Sequence, residues 1–544
     1  MKAHAAARSL QRQNKLAHHK ERNAVGSPLY SCPTAGSQAL AALCRYPART
    51  AFAWDGGTVT YRAAHDLIGR LQAVFIAAGL GRGGRIALLT SNRHETWCAG
   101  VAAQLAGAAT TSLHPLGSLA DQLDQIEDAE ADALVVDTRV FRARGAELAA
   151  GAPRLRTVFT LEDADYGRNL LTAAEAAGAV SARDLADADT VAILNYTGGT
   201  TGKSKGALRH HREVSYSATA ILGGFEIPDD PRYLAVGPIS HVTGTKIVPV
   251  LMKGGTVHML KGFDPDAVFA TIARERINFT LLVPTMIYVL LDHPGMAKAD
   301  LSSLEYLLYG ASAMSPSRLI EGIERIGPVF GQLYGQTECY PVSVLRRSEH
   351  DRARPELFES CGVPIATCQV KILDNDDQEV ATGEPGEICV RAPYVMAEYW
   401  KRPEQTADTL RNGWLHTGDI ARADEHGYLF ILDRKKDMVV SGGFNIFPRE
   451  VEDVLASHPD VAMVAVIGMP HPKWGEAVAA IVVARPGARP EPQSLADLVK
   501  ARKGSAHAPK HIEFVDSLPM TSLGKVDKKA LRAKFWAGQT RMVG

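Results

Sequence analysis

Thr60–Leu80, TYRAAHDLIGRLQAVFIAAGL, followed by Arg85–Asn92, RIALLTSN, and Ala133–Val140, ALVVDTRV, decides the fold class. The first stretch has the apolar period of a helix with one buried face. The other two are short aliphatic runs of strand length. Between them lies an Ala-rich run, Thr96–Thr111, TWCAGVAAQLAGAATT. It falls short of the roughly 20 strongly apolar residues a membrane span requires, so it reads as a core helix. Helical and strand periods that alternate in this way predict a layered α/β domain. The rhythm returns between Ala235 and Ser312, where TLLVP (280–284) and YLLYG (306–310) follow the helical FDPDAVFATIARER (263–276).

Beyond Glu359 the texture changes to short strands and turns: VKILDNDDQEV, GEICVRAP and GYLFILDRKKD. A β-rich module over about 360–435 is expected. After Arg434 come a Pro-initiated helix, PREVEDVLASH, the strands VAMVAVIGM and AVAAIVVAR, and the helix SLADLVKARK, the makings of a small α+β domain. With 544 residues the chain exceeds what one core organises. The expected organisation is therefore a flexible basic tail over 1–28, a large multi-subdomain α/β N-terminal domain over 29–435 and a small α+β C-terminal lid over 436–544.

Composition narrows the function classes. Lys plus Arg and Asp plus Glu balance at 60 each, so no excess of positive charge calls for nucleic acid. The 7 cysteines, Cys32, Cys44, Cys98, Cys339, Cys361, Cys368 and Cys389, are odd in number and form no C-x-x-C pair. Free thiols in a reducing, cytoplasmic setting are expected, with no membrane span. The tail is basic and acid-poor, as organelle-targeting segments are, but it is also poor in Ser, and it reads as a flexible extension.

Asn195–Ala207, NYTGGTTGKSKGA, follows the β-branched run TVAIL. Its glycines allow backbone N–H groups to approach an anion, its threonines donate hydroxyls and its lysines neutralise charge, which together make a phosphate grip. A plain Gly-Thr surface turn is the competing reading. Gly202, Lys203 and Ser204 mimic the end of a Walker loop, but Thr197 stands where its first glycine belongs. The segment instead resembles the T-S-G-T-T-G-x-P-K-G loop of adenylate-forming (AMP-binding) enzymes, with Gly198 and Ser204 replacing the serine and the proline.

Further segments resemble that superfamily in its own order. The resemblance covers about residues 30 to 535 and points to the acyl- and aryl-CoA synthetase branch. It implies ATP contacts through Thr197, Gly198, Gly199, Thr200, Thr201, Gly202 and Lys205. YGQTE (334–338) resembles Y-G-x-T-E, which implies adenine stacking on Tyr334 beside Gly335, α-phosphate donation from Thr337 and Mg²⁺ held by Glu338, a hard ion on a hard oxygen. YGASAMS (309–315) resembles the adenine loop, with Gly310, Ala311 and Ser312 in contact. In HTGD (416–419) and DRKKD (433–437), Asp419 and Arg434 are implied to hold the ribose, and Lys436 to be the hinge of the lid.

PISHVTG (238–244) resembles the wall between acyl pocket and thiol tunnel, with His241 at the divide. It has no aspartate to hold an amino-acid ammonium group. LPMTSLGKVDKKALR (518–532) places Lys525 where the family's catalytic lysine bridges the carboxylate and the α-phosphate. SGGFNIFP (441–448) offers Gly442 and Gly443 to the pantetheine arm of coenzyme A. The implied catalytic set is Lys525, Thr337, Glu338 and His241.

The implied pocket walls are His241, Thr243, Val283, Thr285, Tyr309, Gly310 and Cys339. This mixed set suits an aromatic or other cyclic acid. The expected activity is an ATP- and Mg²⁺-dependent acid:CoA ligase that releases AMP and pyrophosphate. The alternatives are a medium-chain fatty acyl-CoA synthetase, transfer to the phosphopantetheine of a carrier protein, a luciferase-like oxygenase, and a catalytically silent nucleotide-binding protein.

Overall fold

A computed structural model describes residues 31–197, 204–441, 444–521 and 525–536. The tail 1–28 therefore lies outside the described residues, as do Gly198, Gly199, Thr200, Thr201, Gly202, Gly442 and Gly443. The fold is mixed α/β. Two large sheets, one of eight strands and one of nine, carry most of the first 365 residues. In the eight-stranded sheet, Ala109–Ser112, Arg85–Leu89, Ala133–Val136 and Thr157–Thr160 run parallel. Val191–Thr197 joins them in parallel and returns as the antiparallel strand Lys205–His210. In the nine-stranded sheet, Thr256–Met259, Arg232–Ala235, Phe279–Leu282, Tyr306–Gly310 and Phe330–Gln336 are parallel neighbours.

The helices Tyr61–Ala77, His94–Leu105 and Pro265–Glu275 form where the apolar period placed them. The core helix expected over 96–111 is shorter than that. Gly107 turns the chain with φ of 83°, and Ala109–Ser112 is a strand. Thr110 and Thr111 are β-branched, and both lie buried in the sheet.

The β-rich module is a four-stranded antiparallel sheet of Gln369–Leu373, Gly386–Arg391, Leu415–Ala423 and Leu429–Arg434. It shares one apolar cluster with both large sheets: Ile388 and Leu429 join Phe75, Tyr233 and Leu333. The C-terminal five-stranded sheet, centred on Val461–His471 and Gly475–Ala484, packs two clusters of its own. Polar contacts seat it on the rest of the chain. The Arg449 N–H donates to Asp433 Oδ2 (3.1 Å) and Arg449 Nη1 to the Ile431 carbonyl (3.1 Å). Among the described residues no helix is long and apolar enough to cross a membrane, and all seven cysteines are free thiols.

The topology brings separate segments together. Pro238–Gly244, Val283, Ala311–Ser312 and Thr337 each follow the carboxyl end of a parallel strand in the nine-stranded sheet. His114 and Thr197 occupy the same end of the parallel run in the eight-stranded sheet. The carboxyl edge of such sheets is where ligands are met, because successive loops converge there.

Candidate active site

Asp419 and Arg434 face each other in the antiparallel register of Leu415–Ala423 and Leu429–Arg434. Arg434 Nε reaches Asp419 Oδ1 at 2.6 Å, and Tyr334 Oη donates to Asp419 Oδ2, also at 2.6 Å. The Asp419 N–H donates to Thr417 Oγ1 (3.1 Å), and the Gly418 N–H to Glu387 Oε1 (2.9 Å). The carboxylate is thus buried with one donor on each oxygen. Two motifs 85 residues apart, YGQTE and HTGD, meet at a single side chain.

Glu338 is likewise buried and accepts a hydrogen bond from Tyr399 Oη at 2.6 Å. Lys205 Nζ lies 4.9 Å from the centre of the same Tyr399 ring, which brings the return strand of the phosphate loop beside the YGQTE turn. Thr337 is half-buried, and its carbonyl accepts from Arg209 Nη2 at 2.6 Å. Gly335 has no room for a side chain, since a Cβ there would sit 2.7 Å from Tyr340 Cδ2. Ala311 holds φ of 65°, a left-handed conformation that costs a non-glycine residue about 1 kcal/mol and turns the backbone of the YGASAMS loop.

Lys525 comes from the C-terminal sheet's side, in a turn closed by Thr521 N–H to the Lys525 carbonyl (2.7 Å) and Lys525 N–H to Thr521 Oγ1 (3.2 Å). Burial is the main influence on its ammonium, pushing it down to about 8, and the Arg434 cation pushes the same way. Asp419 and Glu338 act in the opposite sense. A lysine from the last 20 residues of the chain therefore sits within the field of the charged cluster built by the large domain. Lys436 is exposed between Leu429–Arg434 and Val439–Ser441.

On the other side, His241 packs edge-on against His114 with ring centres 4.6 Å apart, and its Nδ1 lies 2.8 Å from Ser240 Oγ. Burial, then the neighbouring His114, holds its imidazole down to about 4, so it is neutral at physiological pH. Asn92 fixes this turn: its Nδ2 donates to the Gly237 carbonyl (3.0 Å) and its Oδ1 accepts from the Ile239 N–H (2.9 Å). Val283 and Thr285 are half-buried at the mouth of the next strand.

Three of the wall residues expected from the sequence are buried. Tyr309 is fully buried against Phe330 and His350, with its hydroxyl on His350 Nε2 (3.0 Å). Cys339 is fully buried in the main apolar cluster. Thr243 turns inward, and its carbonyl accepts from Tyr233 Oη (3.0 Å). Tyr309 and Cys339 sit on strands whose alternation points them into the core, an orientation set by pairing register, whereas Thr243 lies in the turn that leads into the 3-10 helix Gly244–Lys246. Gly310 is buried too, with Leu333 O 2.4 Å from where its Cβ would be, and offers backbone only.

Sequence reading missed Arg209, Tyr399, Asn92 and His114. Only His114 had a local signal, in the polar SLHP that ends a strand. A surface cavity of about 320 Å³ lined by Arg82, Gly84, Arg85, Asp187 and Val191 lies away from this cluster. It opens at the amino end of the seven-residue strand Val191–Thr197, roughly 20 Å from the phosphate-loop end.

The sequence model of the AMP-binding enzyme family matches residues 41–400, and that of its C-terminal domain matches residues 450–525. The chain belongs to the AMP-binding enzymes. Within that family it falls in the adenylate-forming acyl/aryl-CoA ligase branch. It is 45% identical over 495 residues to the medium/long-chain-fatty-acid–CoA ligase FadD8 of Mycobacterium tuberculosis, covering 88% of this chain and 86% of that one. It is 36% identical to a feruloyl-CoA synthase of Amycolatopsis, covering 90% and 96% of the two chains. Among solved structures, the amide bond synthetase McbA from Marinactinospora thermotolerans superposes with a TM-score of 0.85 at 33% identity, covering 91% and 99%. The AMP-binding enzyme described here is an AMP-forming acid–CoA ligase that uses ATP and CoA.

Proposed function

We propose that the acid is an aromatic or other cyclic carboxylic acid, activated and transferred by one site in two geometries. In the first step a carboxylate oxygen attacks the α-phosphorus of ATP, the bond to the β-phosphate oxygen breaks, and pyrophosphate leaves with that electron pair. In the second, a thiol sulfur attacks the acyl carbon, the acyl–oxygen bond breaks, AMP leaves, and the thiol proton passes to solvent.

The observation that carries this reading is Lys525, drawn from the lid into the field of Asp419, Glu338 and Arg434. A cation there offsets charge as it accumulates between carboxylate and α-phosphate, the preorganised stabilisation that lowers such barriers most. Thr337 and Lys205 serve the phosphates with Gly198–Gly202, Asp419 and Arg434 hold the ribose, and Tyr334 and Gly310–Ser312 enclose the adenine. Glu338 suits Mg²⁺, which takes one or two carboxylates and completes its shell with water and phosphate oxygens. When bound, the ion would neutralise charge on the leaving pyrophosphate. Lys436 is the proposed hinge between 29–435 and 436–544. Rotation there withdraws Lys525 and brings Gly442 and Gly443 to the thiol path.

His241 and His114 form a neutral, edge-on pair of rings at the acyl side, and a flat aromatic acid packs well against such a wall. The feruloyl-CoA synthase relative supports a ring. The 45% identity to FadD8 favours a second reading, a medium-length acyl chain. A panel of ferulate, benzoate, indoleacetate, decanoate and palmitate, followed by pyrophosphate release with and without CoA, separates the two. Ring acids are expected to exceed decanoate at least tenfold in kcat/KM. The reverse order would replace the ring with a chain.

A further inference from the structure

Lys246 is 0% exposed, yet no charged group acts on it among the described residues. Its Nζ lies 2.5 Å from Tyr340 Oη, 2.8 Å from Thr245 Oγ1 and 3.3 Å from the Val242 carbonyl. The rings of Tyr340 and Phe225 lie over it, with centroids 4.6 and 5.5 Å away. Burying an amine without a carboxylate is costly unless its polar hydrogens are matched. Burial pushes the amine well below its ordinary value, and three polar partners surround it, so the group has no hand free for a ligand.

The three partners come from two segments. Val242 and Thr245 belong to the turn that carries His241. Tyr340 follows Glu338 by two residues, and its ring lies against Gly335 in the YGQTE turn. The Tyr340 carbonyl is itself held by Ser217 Oγ at 2.7 Å. Lys246 therefore spans from the acyl-side turn to the turn that bears Thr337 and Glu338, through bonds that have direction as well as strength.

We propose that Lys246 is a positioning residue, which fixes the His241 wall against the YGQTE turn and so sets the carboxylate of the acid at attacking distance from the α-phosphorus. This rests on reading those segments as the acyl and phosphate sides. Misplacement by about 1 Å in such a reaction costs on the order of 100-fold, so a remote tie of this kind has a large lever.

The test uses Lys246→Met, which keeps length and burial, Tyr340→Phe, which keeps the ring, and the double variant. Pyrophosphate release is measured with whichever of ferulate and decanoate the wild-type enzyme turns over faster, and amide exchange is followed without any acid. Lys246→Met is expected to raise the KM for the acid and lower kcat, each at least tenfold, with the KM for ATP within twofold. Tyr340→Phe is expected to move the same two parameters about threefold, and the double variant to match Lys246→Met within twofold, because both act through one bond. Peptides covering 238–246 and 334–340 are expected to exchange together, at least tenfold faster.

Rates that scale only with the folded fraction, effects of the two substitutions that multiply, or unchanged exchange in both peptides would each overturn the proposal. If Lys246→Met does not fold, Tyr340→Phe decides through its KM split and exchange. Failure of the two-sided reading itself would show differently, as wild-type pyrophosphate release that survives Lys525→Ala.

Discussion

The Asp419 cluster and the His241 turn, proposed above as the nucleotide side and the acyl side, are built on opposite electrostatic plans. Around Asp419 the groups are polar and already bonded: the Arg434 guanidinium on one carboxylate oxygen, the Tyr334 hydroxyl on the other, Lys525 in the field. Around His241 they are neutral, with two imidazoles edge to edge and both held in the uncharged form chiefly by burial. The contrast follows from the chemistry each side handles. Phosphate and a developing oxyanion need fixed charge, whereas an acyl group is recognised by shape, and a charge beside it would have to be desolvated on binding.

If the charged side acts through its pairing, the largest effect short of removing Lys525 should come from Asp419→Asn. That change keeps an acceptor for Tyr334 but leaves Arg434 without its counter-charge. A loss of about 1–3 kcal/mol in ATP binding is expected, read as a rise of roughly 10- to 100-fold in the KM for ATP, with the KM for the acid nearly unchanged. An equal rise in both constants would mean that the two sides are not separable.

The second effect is pH-dependent. In the proposed role Lys525 acts as the ammonium, and burial lowers its folded-state value to about 8. Below that pH it is charged, and above it the charge is lost. The kcat/KM for adenylation should fall about tenfold per unit above pH 8, and kcat should break at higher pH because bound phosphates hold the proton on. A profile flat to pH 10 would show that Lys525 does not titrate in the reacting enzyme.

The smallest effect belongs to the neutral side. With His241 titrating near 4, the KM for the acid should vary less than twofold between pH 6 and 7.5. A break near pH 6.5 would reveal an imidazole that charges in the working range, and the contrast between the sides would weaken.

The same contrast governs how much could be read from the sequence. The nucleotide side is made of short contiguous motifs, YGQTE, HTGD and T-x-x-G-K, whose residues act where they stand. Their resemblance to a family therefore suffices to propose Asp419, Glu338 and Lys525 from the sequence, and DRKKD does the same for Arg434. The fold class was legible for a similar reason, since helical and strand periods are local. The acyl side depends on pairing register and on which face of a strand looks outward. Tyr309, Thr243 and Cys339 were expected at its walls, and all three are buried, Tyr309 and Cys339 on strands and Thr243 in a turn. Asn92, Arg209 and Tyr399 support the site from elements 60 to 150 residues away in the chain, through hydrogen bonds that no local pattern announces. The Ala-rich run ending in a strand shows the same limit, because the turn at Gly107 outweighs the helical composition around it.

The most direct measurement is Lys525→Ala assayed in the two half-reactions separately, with pyrophosphate release for the first and thioester formation from a supplied acyl-adenylate for the second. A lysine that acts only while the lid is docked should cost adenylation at least 10²- to 10³-fold and leave thioester formation within threefold of wild type. Equal loss in both half-reactions, or loss in neither, would contradict a site that changes its catalytic groups between the two steps.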